Sequence, residues 1–477
     1  MKKKYVRWTL WTIASPFILF IILCILIYLP PIQNFLVDKA AVYASEATGM
    51  NISVGRISLS FPLNLVVTDV DAASPHNDTL LSVRRLQVNV QLLPLLKKQV
   101  EVDGISLQGA TVNSNDLIHG MKLNGTLGEL FISSHGVALD PETAIVNKVL
   151  LKDTDLSLCL NDTAAADTAA SDTTYWKIIL QDIDLQNVSF ALDMPLDSLS
   201  LAASLDNAIL RDGLIDLHKS AYSLQTFRIE NGRVRYDNGK PLAADSLSSG
   251  LDPSHIALTD IGVKLDSLYY EGRNMKAIIS QFVLKERSGV EIVSATGRMV
   301  SNDKVLRVPS LKLETRDSYL ELNAAMDWNA LDFKDEGLVS ARLMADIGKP
   351  DVMRFMGSMD EKFIRQYPSE PLRIRTGIDG DLNKLKLTTL TAELPGALGL
   401  FARGELTHLT DSLLRGGDIT LEAETKDLKF VSTLAEGIEI PYGTRLEGKF
   451  TMAGTKMGTD LLLMQPEAQA VVAADTI

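Results

Sequence analysis

The chain has 477 residues, room for two or three domains, a net charge of −13, and aromatic residues at only 6%. Beyond a basic N-terminus the chain is distinctly acidic, which disfavours nucleic acid as a partner, because phosphate binding needs clustered Lys and Arg, and disfavours broad adhesion to anionic lipid. Cys24 and Cys159 are the only cysteines, which excludes a small disulfide-stapled fold.

From Trp8 to Val37 no side chain is charged, and Lys2, Lys3, Lys4 and Arg7 stand just before. The apolar run 8–29, closed by Pro30 and Pro31, reaches the ~20 residues that a helix needs to cross the hydrocarbon core. Trp8, Trp11 and Tyr28 lie near its ends, where amphipathic rings anchor a span at the headgroups. The preceding cations place residues 1–7 in the cytoplasm and the bulk of the chain beyond the membrane. A cleaved signal peptide is the competing reading, but such apolar regions run ~7–15 residues and end at small residues. A buried core helix conflicts with the length and the basic flank. A lipid anchor through Cys24 conflicts with the bulky Ile22 and Leu23.

Residues 31–48 are predicted to form a membrane-proximal helix, with Phe35, Leu36, Ala40, Tyr43 and Ala44 at helical spacing and Gly49 as its stop. From Ile52 onward the period becomes that of a strand. Ile52 and Val54 alternate, Gly55-Arg56 shifts the phase like a bulge, and Ile57 and Leu59 resume. Leu86, Val88 and Val90 form the next clear strand, followed by Val102, Ile105 and Leu107. A weak motif then recurs: Ile105-Ser-Leu-Gln-Gly-Ala-Thr-Val112 resembles Ile183-Asp-Leu-Gln-Asn-Val-Ser-Phe190, and Phe227 to Val234 is a looser copy. Two alternating apolar positions, a Gly or Asn, and a new alternating stretch describe strands that pass through a short turn or bulge.

These strands make a first β section over 49–242, interrupted at 161–174 by a polar insertion with no large apolar residue, read as flexible. A polar break over 243–254 leads to a second β section over 255–347. A helix is predicted over 350–366, opened by Pro350-Asp351, with Val352, Phe355, Met356, Met359 and Phe363 on one face. A third β section fills 371–477, and its abrupt end at Ile477 reads as a truncation, because a strand array normally closes with a cap.

No cluster of catalytic or metal-ligating residues is legible. His76, His119, His135, His218, His255 and His408 are scattered and read as solvated loop residues, so neither a metal nor a cofactor is expected. Asp153 with Asp155 and Asp182 with Asp184 place paired carboxylates on one side of a strand. Such pairs serve acid–base work or calcium binding, but they also fit a charged outer face. The expectation is therefore a protein with no catalytic residues, not an enzyme.

Several segments carry a resemblance. They are the basic-flanked anchor with its following helix, Thr48-Gly-Met-Asn-Ile-Ser-Val-Gly-Arg-Ile57, Phe61-Pro-Leu-Asn-Leu65, Asp78 to Val83, Val102 to Gly109, Gly380 to Leu387 and Gly404-Glu-Leu406. Together they resemble the N-terminal part of the AsmA-like superfamily, closest to its TamB-type members. The resemblance implies a mainly β fold: an elongated, twisted antiparallel β-sheet groove with an N-terminal transmembrane helix and few short helices. It implies anchorage in the inner membrane with the bulk of the chain in the periplasm, phospholipids as partners, and a role in lipid movement toward the outer membrane. TamB-type members also work with an outer-membrane barrel of the TamA type through a C-terminal region, and the reading of this sequence as truncated places that region outside it.

The composition fits such a groove: an aliphatic face with few helices to cover it is a binding surface. Roughly 25 strands at about 4.8 Å spacing would reach about 120 Å. The candidate lining residues are Leu86, Val88, Val90, Val102, Ile105, Leu107, Ile183, Leu185, Leu385 and Leu387. The alternative function is a scaffold for outer-membrane proteins that binds their strands along an exposed sheet edge.

Overall fold

The computed structural model describes residues 39–476 apart from 40, 43–44, 47, 61–63, 75–77, 92–101, 115–119, 139–141, 162–174, 240–249, 335–336, 358–359, 434–441 and 466–467. The expected segment 8–29 with Trp8, Trp11 and Tyr28 lies outside these residues, as do residues 1–7, nearly all of the insertion and most of the 243–254 break. Of the helix expected over 31–48, the described positions Lys39, Ala41, Val42, Ser45, Glu46 and Thr48 are helical. Among the described residues no helix is long and apolar enough to cross a membrane.

The fold is mainly β, with few helices, and the chain divides into two compact units, Met1–His218 and Lys219–Ile477. The first contains β1 (Asn51–Ser60), β2 (Asn64–Ala73), β3 (Thr79–Val90), β4 (Val102–Asn113), β5 (Met121–Ala138), β6 (Thr143–Leu160), β7 (Lys177–Met194) and β8 (Leu199–Asp216). Each strand pairs with the next in sequence, antiparallel in every case but one. The exception is β6–β7, which run parallel from Thr143↔Lys177 to Cys159↔Asp193. Parallel neighbours require a crossover connection rather than a hairpin, and the polar segment expected at 161–174 occupies that position in the chain.

The second unit contains β9 (Ala221–Leu224), β10 (Thr226–Asn238), β11 (His255–Glu271), β12 (Asn274–Glu286), β13 (Glu291–Ser301), β14 (Val305–Thr315), β15 (Tyr319–Asp327) and β16 (Leu338–Ile347). It continues with β17 (Leu372–Asp381), β18 (Lys384–Leu394), β19 (Leu398–Thr407), β20 (Gly416–Thr425), β21 (Arg445–Ala453), β22 (Lys456–Gln465) and β23 (Ala468–Thr476). Strands β9 and β10 both pair with β11, and from there each strand pairs antiparallel with the next. Tight hairpins rest on glycine: Gly272 (φ 58) follows Glu271 where β11 turns into β12, and Gly454 (φ 61) follows Ala453 where β21 turns into β22.

Among the described residues of the second unit, three short α-helices interrupt the strands: α1 (Trp328–Leu331), α2 (Lys349–Met356) and α3 (Glu361–Gln366). The single helix expected over 350–366 is thus two helices, and α2 ends at Gly357, whose φ of 74 a continuing helix cannot accommodate. The expected common face also divides. Phe363 is buried and Val352 packs beside it, whereas Phe355 and Met356 are exposed.

Both clusters of fully buried hydrophobic residues found among the described residues lie in the second unit. Phe363 and Tyr367 meet Leu394, Ala397, Leu428 and Phe430 in one, with Phe430 edge-on to Phe363 at 5.7 Å between ring centroids. Ala330, Val339 and Leu382 form the other. Helix α2 is pinned by Asp351, which is 1% exposed. Its carboxylate accepts from the hydroxyls of Thr315 and Ser318 (2.6 Å for Ser318) and from the Arg354 guanidinium at 2.8 Å. Arg354 also donates to Asp317 at 3.0 Å, which ties the helix to the turn between β14 and β15.

Candidate aliphatic site

Residues opposite one another across a ladder project to the same face, so the register shows which apolar side chains meet. In the first unit one row runs through all eight strands: Ile57–Val67–Leu86–Leu107–Leu130–Leu151–Leu185–Ala208. A second row runs beside it: Leu59–Leu65–Val88–Ile105–Ile132–Val149–Ile183–Leu210. Val90 opposes Val102 on the same face. Eight of the ten residues singled out from sequence therefore share one aliphatic surface.

The other two, Leu385 and Leu387, belong to the second unit. Leu387 lies opposite Ile378 and Gly404, and Leu385 opposite Gly380 and Leu406. Leu385 also packs, with Met326, Ile378 and Leu409, against the Ala330–Val339–Leu382 cluster, so it sits at a covered end of that surface. The central row of this unit includes Leu320–Ala345–Ile374–Ala392–Leu400–Ala423. The lining residues on β5, β6 and β8, such as Leu130, Val149 and Leu210, went unselected from sequence, although they carry the same alternation.

A line of interruptions crosses the first unit's ladders. At one shared line a rung is missing between every pair of neighbours, with the register unchanged across it, and β6–β7 and β7–β8 each lack a second rung at Gln181. The residues at this shared line are Gly55, Asp69, Arg84, Gly109, Gly128, Asp153, Asn187 and Asp206. Four of them have positive φ: Asp69 (54), Gly109 (63), Asp153 (49) and Asn187 (50). Glycine, aspartate and asparagine are the residues that tolerate this conformation. Each interruption changes the phase of the strand, which is why the aliphatic face reads 52, 54 and then 57, 59 in β1. The recurring Leu-Gln-Gly and Leu-Gln-Asn motifs are this feature. They lie inside single strands, β4 and β7, and are not turns between strands.

The opposite face is mostly polar and carries ion pairs, with Phe131, Leu150 and Ile209 also on it. Arg211 bridges Asp182 and Asp184, with Nη2 donating to Asp184 at 3.0 Å. Asp153 accepts from the Asn187 amide at 2.8 Å, and Asp155 from the Ser189 hydroxyl at 2.7 Å. Both paired-carboxylate motifs are thereby committed to neighbours on a charged surface, and among the described residues no group of three His, Cys, Asp or Glu is placed to hold a metal ion. In the second unit a recess of about 500 Å³ lies among the ends of β18–β21. Two of its carboxylates are met across the strands, Glu393 by Arg373 at 3.7 Å and Glu424 by Arg445 at 3.4 Å.

His76 and His119 lie outside the described residues, and among the described histidines one departs from expectation. His255 is buried and its Nδ1 contacts Asp252 at 2.8 Å, whereas His218 and His408 are exposed as expected. Its environment is made by the β10–β11 pairing and the Arg287 side chain, which donates to its carbonyl at 3.1 Å, and neither is legible locally. The chain matches no protein-family model and no curated protein sequence.

Proposed function

We propose that the aliphatic faces of the two units are groove walls that hold lipid acyl chains. In this reading the apolar segment 8–29 anchors the protein in the inner membrane, the bulk of the chain lies in the periplasm, and the protein supports phospholipid transport toward the outer membrane. One observation carries the reading: the pair of aliphatic rows that continues through eight strands of the first unit. Seven spacings of about 4.8 Å make these rows roughly 34 Å long. Two rows of that length approach the ~300–600 Å² of the largest apolar patches on soluble proteins, which are often functional. Most side chains of these rows are only half-buried, and the described residues of this unit include no second sheet to pack on them. Acyl chains are flexible and apolar and would fill such a surface without polar contacts, while the Arg211, Asp182 and Asp184 side of the sheet faces water.

Photo-reactive side chains at Leu107 and Ile183 test the reading. Irradiation in membranes is expected to crosslink phospholipid at both positions and none at the outward Gln108. Capture of polypeptide at Leu107 and Ile183 would contradict lipid binding and favour a strand-binding scaffold.

A further inference from the structure

We propose that the line of missing ladder rungs across the first unit is a crease that holds its aliphatic face concave and so determines how much lipid the unit carries. The inference rests on the lipid reading for its consequence, but not for its geometry. Interruptions of a ladder bend the strand that bears them. Here one interruption in each of eight strands falls on the same line, so those bends add along it.

Burial points to the direction of the fold. Val83, Ala110, Thr154 and Ala208, which flank the crease on the aliphatic face, are all buried. Leu81, Ile105 and Phe190 lie further from it on the same face and remain more than a third exposed (38%, 37% and 38%), whereas the smaller Ala72 opposite Leu81 is buried. A flat sheet would expose these positions alike, whereas a trough buries those at its floor. Close approach of the backbones explains the glycines. A Cβ on Gly128 would lie 2.8 Å from the Asp153 Cβ, and one on Gly55 would lie 2.9 Å from the Asp69 Cβ.

The test uses the full chain with Asp153 and Asn187 changed together. The pair Asp153→Val and Asn187→Val opposes positive φ, because a β-branched residue there is a steric outlier. The pair Asp153→Gly and Asn187→Gly removes the same side-chain hydrogen bond and keeps the conformation. The alanine pair imposes the same strain more gently and serves if the valine pair does not fold. Spin labels at Ile183 and Phe190, introduced with Cys24 and Cys159 replaced by Ser, read the crease itself. Their separation is expected to lengthen toward roughly 23 Å, that of a straight seven-residue span, in the valine or alanine pair and to stay at the wild-type value in the glycine pair. Bound phospholipid per chain is expected to fall with that lengthening and to be retained in the glycine pair.

An unchanged separation in the folded valine pair would overturn the crease, as would a glycine pair that lengthens equally. A lengthened separation with wild-type lipid content would overturn its control of loading. A wild-type chain with the short separation but no phospholipid would overturn the lipid reading instead and leave the crease standing.

Discussion

Leu107→Asp is expected to strip most of the phospholipid from the first unit while leaving the fold intact, and Gln108→Asp is expected to do neither. Leu107 lies in the middle of β4, with Leu86 opposite it on one side and Leu130 on the other. It is half-buried, so in a lipid-free chain its replacement is hydrated and tolerable. Among acyl chains the same carboxylate is costly, about 2.5–3.5 kcal/mol if the environment resembles a bilayer centre. That is on the order of a hundredfold weaker occupancy at this position. Gln108 is the next residue but points to the charged face and is exposed, so it controls for the added charge. Lipid phosphate per chain measures the effect, and circular dichroism checks the fold. Val88→Asp, between Leu65 and Ile105, is expected to behave as Leu107→Asp does.

Asp351→Asn is expected to destabilise the second unit by about 3–5 kcal/mol, the usual result of removing one partner from a buried ion pair. Asparagine leaves the Arg354 guanidinium with Asp317 as its remaining charged partner and disrupts acceptance from Ser318 and Thr315. Burial alone would push the Asp351 carboxyl up, but the Ser318 and Thr315 hydroxyls and Arg354 outweigh it and hold the group below the ordinary carboxylate range. The unfolded chain therefore binds the proton first, at a pKa of about 3.9. The carboxylate's contribution is complete above that pH and is lost as the pH falls through the lower folded value. Denaturant titrations should show this acid loss in the native chain and its absence in Asp351→Asn. The transition to follow is that of the second unit, since a chain of two units need not unfold in one step.

What the sequence made legible was local. Alternating aliphatics predicted strands throughout the three β sections, and the Leu-Gln-Gly and Leu-Gln-Asn motifs, read as a short turn or bulge, fall where Gly109 and Asn187 take the left-handed conformation that selects such residues directly. The rest depended on register. Arg211 closes on Asp182 and Asp184 only because β7 and β8 align Asp182 with Arg211. The parallel β6–β7 pair has no local signature distinguishing it from an antiparallel one. The break at Gly357 was masked by apolar residues on both sides of it, and exposure of Phe355 follows from packing that periodicity alone does not record.

Lipid on the aliphatic faces is measured by mass spectrometry of the full chain purified from membranes in mild detergent. The expected result is co-purified phospholipid in stoichiometric or greater amount, lost in part from Leu107→Asp and retained by Gln108→Asp. A folded wild-type chain that carries no phospholipid, or a Leu107→Asp chain that carries as much as the wild type, would contradict lipid binding by these faces.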